Sequence, residues 1–171
     1  MLPVTIRDAK ANDGAVIAQA QQDIALTPGI LVARPSELHT TRIVDQIFQL
    51  TASSRAKYIV AESGGKVIGH AWLEPVQFES LNHIVRLTLV THKGWERQGV
   101  GQQMLSALLD WAKAGTTVHR IEALTRATNA AAITLWKKNG FVEEGRLRER
   151  IRLPQGGWID DVILSLLIPR N

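Results

Sequence analysis

Hydrophobic positions in this chain switch repeatedly between a period of two and a period near 3.6, and each switch marks a change of element. Val4 to Arg7 alternates as a first strand. Asp8 or Asn12 can cap a following helix that runs to about Leu26 and offers Ala15, Ile17, Ala18 and Ile24 for burial. Thr27-Pro28-Gly29 breaks it. Ser36-Glu37 opens a second helix, with Leu38, Ile43, Ile47, Phe48 and Leu50 as its buried stripe. Lys57 to Glu62 and Lys66 to Leu73 form a hairpin around Ser63-Gly64-Gly65. His83 to Val90 is the next strand. A third helix from Gly99 to about Lys113 follows, its apolar face made by Val100, Met104, Leu105, Leu108, Leu109 and Ala112. His119 to Thr125 is a strand and Asn129 to Asn139 a fourth helix. Phe141 to Arg152 and Trp158 to Ile168 make a closing antiparallel pair. Interleaving of this kind predicts one α/β or α+β layer domain over 1–171 with a mixed sheet.

Composition narrows the classes. A chain of 171 residues buries roughly 70% of its unfolded surface, enough for one core. Its 45% hydrophobic and 21% charged content is that of a globular protein. Cysteine is absent, so a disulfide framework, a thiolate metal site and a thiol nucleophile are excluded. Met1-Leu-Pro-Val-Thr-Ile-Arg-Asp8 lacks the charged start and apolar run of a signal peptide, and no stretch reaches the ~20 apolar residues of a membrane span. A cytoplasmic protein without a membrane partner is expected. The net charge of +4 suits an anionic small ligand, but its basic residues are scattered, which argues against nucleic acid.

Chemistry concentrates where the strand ending in Leu87, Leu89 and Val90 turns into the third helix. Gln98-Gly99-Val100-Gly101 places two glycines at that turn. Glycine allows positive φ and a close backbone approach, and the first-turn amides of a helix have no partner inside it. Such a turn seats a phosphate or pyrophosphate. A P-loop is excluded, because no Gly-x-x-x-x-Gly-Lys-Ser/Thr run exists. A dinucleotide fingerprint fails at Met104, where it needs glycine or alanine.

Glu-Arg-Gln-Gly-Val-Gly (96–101), Asn129 followed by Ala132, and Leu135-Trp-Lys-Lys-Asn-Gly-Phe141 together resemble the GNAT superfamily of acyl-CoA-dependent N-acetyltransferases. Val67-Ile-Gly-His-Ala-Trp-Leu73 resembles that family's central strand, and Gly157-Trp-Ile-Asp160 the closing strand of its amino-acid and polyamine branches. The match runs through nearly the whole chain in order. It implies a sheet of about six or seven strands flanked by about four helices, with the strands at Leu89 and Thr125 splayed apart. Acetyl-CoA is the implied cosubstrate. Its pyrophosphate would lie on the amides of Gln98, Gly99, Val100, Gly101 and Gln102, with Arg97 nearby, and its arm along Leu89 and Val90. Asn129, Ala132, Trp136 and Lys138 would line the arm and nucleotide, and Lys137, Lys138 and Arg126 are candidates for the 3′-phosphate. Asn129 has a second reading as a plain helix cap.

Two positions depart from the family pattern. Glu96 stands where glutamine or arginine is usual, so its carboxylate should turn away from the anion. Trp136 replaces the usual tyrosine acid, and an indole N–H is no proton source at neutral pH. The strand glutamate of some relatives is missing, with Val85 and Arg86 in its region. The general base therefore has three candidates: Glu74, His83 and Asp160, the last paired in sequence with Asp161, where strand alternation sends one inward and one outward. The reaction expected is direct attack of a small-molecule primary amine on the thioester. A protein N-terminus or lysine is the alternative acceptor, and a non-catalytic acyl-CoA sensor the alternative class. Leu31 and Arg34 are implied near the acceptor entrance, and Trp158, Ile163 and Leu167 are candidates for a homodimer contact.

Overall fold

A computed structural model describes residues 3–114 and 117–169. Seven strands, β1 (Val4–Asp8), β2 (Lys57–Ser63), β3 (Lys66–Pro75), β4 (Ile84–Thr91), β5 (Arg120–Arg126), β6 (Val142–Arg152) and β7 (Trp158–Leu167), form one sheet in the order β1-β2-β3-β4-β5-β7-β6. Every neighbouring pair is antiparallel except β4 and β5. A parallel pair needs a crossover, and α3 (Val100–Lys113) supplies it. The remaining helices are α1 (Gly14–Ala25), α2 (Thr40–Thr51) and α4 (Ala130–Lys138).

The sheet has a core on each face. Met104, Leu105 and Leu108 of α3 pack on Ile59, Ile68, Leu73, Val85 and Ile121, and α4 adds Trp136 to the same layer. On the other face, Ile17 and Ala18 of α1 and Ile43, Ile47 and Leu50 of α2 cover Tyr58 and Val60. The β2–β3 hairpin turns through Gly64 and Gly65, with φ of 56° and 75°, the left-handed pair that a two-residue turn demands.

The two N-terminal helices begin later than the sequence pattern predicts. Neither Asp8 nor Asn12 caps α1. A 3-10 turn, Ala11–Asp13, intervenes, and Asp13 accepts from the Lys10 N–H (2.8 Å) while pairing with Arg7 (2.8 Å). Pro35–Glu37 is likewise a 3-10 turn, held by Glu37 on the Arg34 N–H (2.8 Å), and α2 starts only at Thr40. Ala15 is exposed, and Phe48, expected in the buried stripe, is 74% exposed. Trp158 and Leu167 lie at opposite ends of β7 and, by alternation, on opposite faces, so with Ile163 they form no continuous patch. No helix among the described residues is long and apolar enough to cross a membrane.

Candidate active site

The loop between β4 and α3 folds onto itself. Glu96 accepts from the Gly94 N–H (2.7 Å) and Gln98 Nε2 donates to the Gly94 carbonyl (3.0 Å). Glu96 is thereby occupied within the loop, as its charge beside an anion seat requires. Arg97 (φ 59°) and Gly99 (φ 81°) take left-handed backbone, the alternation that turns successive N–H groups into a concavity. The first helical bond is Gln103 N–H to the Gly99 carbonyl (3.1 Å), so the amides of Val100, Gly101 and Gln102 precede it. A Cβ on Gly101 would meet Leu89, Thr91 and Leu135 side-chain atoms each at 3.5 Å, so the start of α3 packs close to β4 and α4 here.

β4 and β5 pair only from Ile84↔Arg120 to Leu87↔Ala123. Above that rung the strands part, because β5 turns to follow β7 while β4 stays on β3. The hydrogen bonds at the two ends of β4 fix its backbone directions. Val76 N–H donates to the Ile84 carbonyl (3.2 Å) and His92 N–H to the Ile68 carbonyl (2.9 Å), so even-numbered residues of β4 address β3. Arg120 N–H donates to the His83 carbonyl (3.1 Å), so odd-numbered ones address β5. At the opening the unpaired groups therefore belong to Leu89 and Thr91. Val90, expected to share that edge, has its amide turned to β3.

On the other side of the opening, Asn129 caps α4 by accepting from the Ala132 N–H (3.1 Å), which leaves its Nδ2 available. Trp136 is 4% exposed, and its indole N–H donates to Thr125 Oγ1 (2.9 Å) while the ring packs 5.7 Å from Phe141. Expected beside the cofactor, it is a member of the core instead. Lys137 pairs with Glu143 (2.8 Å), whereas Lys138 is exposed and makes no ion pair among the described residues. Arg126 is not on this side, since it pairs with Asp161 on the face opposite α4. Gln102 and Asn139 exchange two amide hydrogen bonds (2.8 and 3.0 Å), tying the start of α3 to the end of α4. That clamp had no sequence signal beyond two exposed-looking amides.

The three base candidates do not come together at one place. His83 precedes β4, about seven residues or ~23 Å along the strand from Val90. Glu74 is exposed and stands in register with Arg86, below the last β4–β5 rung. Asp160 accepts from the Glu149 N–H (2.7 Å) and from Arg146 Nε (2.7 Å), and these bonds hold its carboxyl below the usual range. It pins the bulge of β6. Asp161 is the inward member of the pair.

A family model described as the acetyltransferase (GNAT) family matches residues 27–141. The L-amino acid N-acetyltransferase AaaT of Escherichia coli is 27% identical over 94% of this chain and 95% of its own length. The N-alpha-acetyltransferase RimI of Mycobacterium tuberculosis is 29% identical over 60% of this chain and 62% of its own. The protein yncA of Salmonella typhimurium, solved with its cofactor acetyl-CoA, superposes with a TM-score of 0.90 at 22% identity, covering 99% of this chain and 96% of that one. The splayed strands, the α3 amides and a family match through most of the chain agree, and the protein belongs to the GNAT acetyltransferase family, enzymes whose cosubstrate is acetyl-CoA.

Proposed function

We propose that this enzyme acetylates the primary amine of a small molecule, an α-amino acid first among candidates. The observation that carries the reading is the roof over the β5–β7 side of the opening. The segment between α1 and α2 rests on the β6–β7 hairpin at Gly29, where a Cβ would fall 2.4 Å from Ile159 Cδ1 and 3.1 Å from Leu153 Cδ2. With φ at +85°, only glycine sits there without strain. A chain threaded so tightly onto β7 favours a compact acceptor over an extended peptide. The relative named for L-amino acids, aligned through 94% of this chain, supports the same class.

Acetyl-CoA supplies an activated acyl group on a good leaving group. In this reading the α3 amides and Arg97 hold its pyrophosphate, the Leu89 and Thr91 backbone groups pair with its arm, Asn129 Nδ2 contacts the arm as well, and Lys138 reaches the nucleotide half. The Leu89 N–H is the donor placed to polarise a carbonyl in the opening. The amine must arrive deprotonated, and at pH 7 about one alkyl amine in a thousand is. With Glu74 and His83 at or below the last β4–β5 rung and Asp160 held by Glu149 and Arg146, protons leave through solvent, and kcat/KM climbs about tenfold per pH unit below the amine pKa.

Release of free thiol from acetyl-CoA, measured against L-amino acids, polyamines and peptides, tests the proposal. Turnover confined to amino acids or amines upholds it. Turnover of peptides alone moves the acceptor to proteins, and no turnover despite coenzyme A binding refutes it.

A further inference from the structure

Arg126 and Asp161 stand opposite each other on β5 and β7, where Arg126 Nη1 donates to Asp161 Oδ1. Both are buried, Arg126 at 7% exposure and Asp161 at 0%. That bond leaves much unmet. Arg126 Nε and Asp161 Oδ2 are buried with no hydrogen-bond partner among the described residues, and Nη2 also makes none there. One contact does not offset the desolvation of two charges, so a pair kept in this state is poorly explained as a device for stability.

Its position is informative. Continuing the β4–β5 register upward from Leu87↔Ala123, Arg126 comes level with Val90 on the far arm of the opening. The two side chains project from the same face, since Val90 stands in register with His70, which bonds to Gln21 of α1, while Arg126 alternates with Thr125, which bonds to Trp136 of α4. Ile159, under the Gly29 roof, shares that face with Asp161. The pair thus floors the roofed space, across from the unpaired backbone of β4.

We propose that Arg126, oriented by Asp161, anchors the carboxylate of an α-amino acid acceptor. Naming this residue deepens the amino-acid reading above and rests on it. A guanidinium held through Nη1 presents its Nε–Nη2 edge, two parallel donors that match a carboxylate bidentately. A second carboxylate alone would crowd one cation between two anions. The N–H hydrogens of the acceptor's neutral α-amine supply the donor that Asp161 Oδ2 lacks, which points to an α-amino acid over a simple carboxylic acid.

The test compares the full-length protein with Arg126→Gln/Asp161→Asn, a neutral amide pair that leaves no buried charge unpaired. Each is assayed for thiol release with L-amino acids and with the matching α-carboxamides, with kcat/KM expressed per free amine so that the different amine pKa values do not enter. The wild type should prefer acid over amide by about 30-fold or more in kcat/KM, the loss typical when a charged partner is removed. In the double variant the preference should fall to within about threefold, through KM for the acid, with KM for acetyl-CoA unchanged. A preference that survives in the variant, or none in the wild type, overturns the anchor. Calorimetric titration of N-acetylated amino acids into the coenzyme A-loaded protein separates the two claims. Binding that depends on Arg126 without any turnover upholds the anchor and sinks the acetyltransferase reading of the acceptor. Equal binding by both proteins, or none by either, sinks the anchor alone.

Discussion

Two buried polar clusters lie on the same face of the sheet, and they solve the problem of burial in opposite ways. Under α1, the Val67 carbonyl can only accept, so His92 Nδ1 (3.1 Å away) carries a hydrogen and its Nε2 is an acceptor. His70 Nδ1, 2.9 Å from that Nε2, must donate, and His70 Nε2 then accepts from Gln21 Nε2 (2.9 Å). One tautomer of each ring satisfies every link, and both imidazoles are neutral. Burial pushes the His70 imidazole down to about 3, with His92 beside it adding to the effect, and lowers His92 as well. On the other arm of the opening, Arg126 and Asp161 are charged, joined by one bond, and left with two orphaned atoms. Tyr58 Oη is the other orphan among the described residues, and it is neutral. Completed hydrogen bonding marks the first cluster as scaffold. Incomplete bonding of charged groups, at the same depth, marks the second as a site.

The contrast breaks most visibly when one charge is removed. Arg126→Met strands the Asp161 carboxylate at full burial, and such losses run about 3–5 kcal/mol in urea unfolding. Arg126→Met/Asp161→Leu removes both charges and should recover wild-type stability or exceed it, while activity on amino acids stays lost. A double variant as unstable as the single one would make the pair scaffold after all. His70→Leu cuts the neutral chain and orphans the Gln21 donor and the His92 acceptor, which costs about 2–4 kcal/mol for two unmet groups. Its KM values should not move, since nothing in that chain faces the opening.

Acid sharpens the same contrast. The native state holds His70 neutral down to about pH 3, whereas the unfolded chain protonates it near 6.5. Between these values the unfolded state binds more protons, so stability falls as pH falls, by about 1.4 kcal/mol per unit for one group. His92, shifted in the same direction, steepens the slope. Unfolding free energies measured from pH 7.5 to 5 should show this decline, and a His70→Gln variant should show a shallower one. A slope identical in both proteins would assign the acid sensitivity elsewhere.

Much of this was readable from the residue pattern. α3 was expected from Gly99 to Lys113 and runs Val100–Lys113, because its apolar spacing and its glycine start are local signals. The Gly64-Gly65 hairpin and the inward-outward split of Asp160 and Asp161 were local too. The starts of α1 and α2 were misplaced because Asp13 and Glu37 use their carboxylates to close 3-10 turns, which compete with capping for the same residue types. Phe48 satisfied the periodicity and still faces solvent, as tertiary packing covers only part of the stripe. Glu74 and His83 had suitable chemistry, but which end of a strand faces the opening depends on where β4 and β5 stop pairing. Arg126 and Asp161 are separated by 35 positions, and only the β5–β7 register brings them opposite each other.

The smallest effect on stability should come from Gly101→Ala, and it tests the route of the cosubstrate. Alanine in the first turn of α3 gains helix propensity, up to about 1 kcal/mol. Its Cβ would meet Leu89, Thr91 and Leu135 at 3.5 Å, ordinary contact that the protein can absorb. Gly99→Ala is the control, with open space around the new methyl but a φ of +81° that costs alanine about 1 kcal/mol. If the acyl-carrying arm passes between α3 and β4, the Gly101 methyl occupies its path. Melting temperature should then hold or rise while the coenzyme A Kd, read by calorimetry, weakens about tenfold or more. An unchanged Kd would mean that the arm does not pass between α3 and β4, and Leu89 and Thr91 would lose their role as its partners.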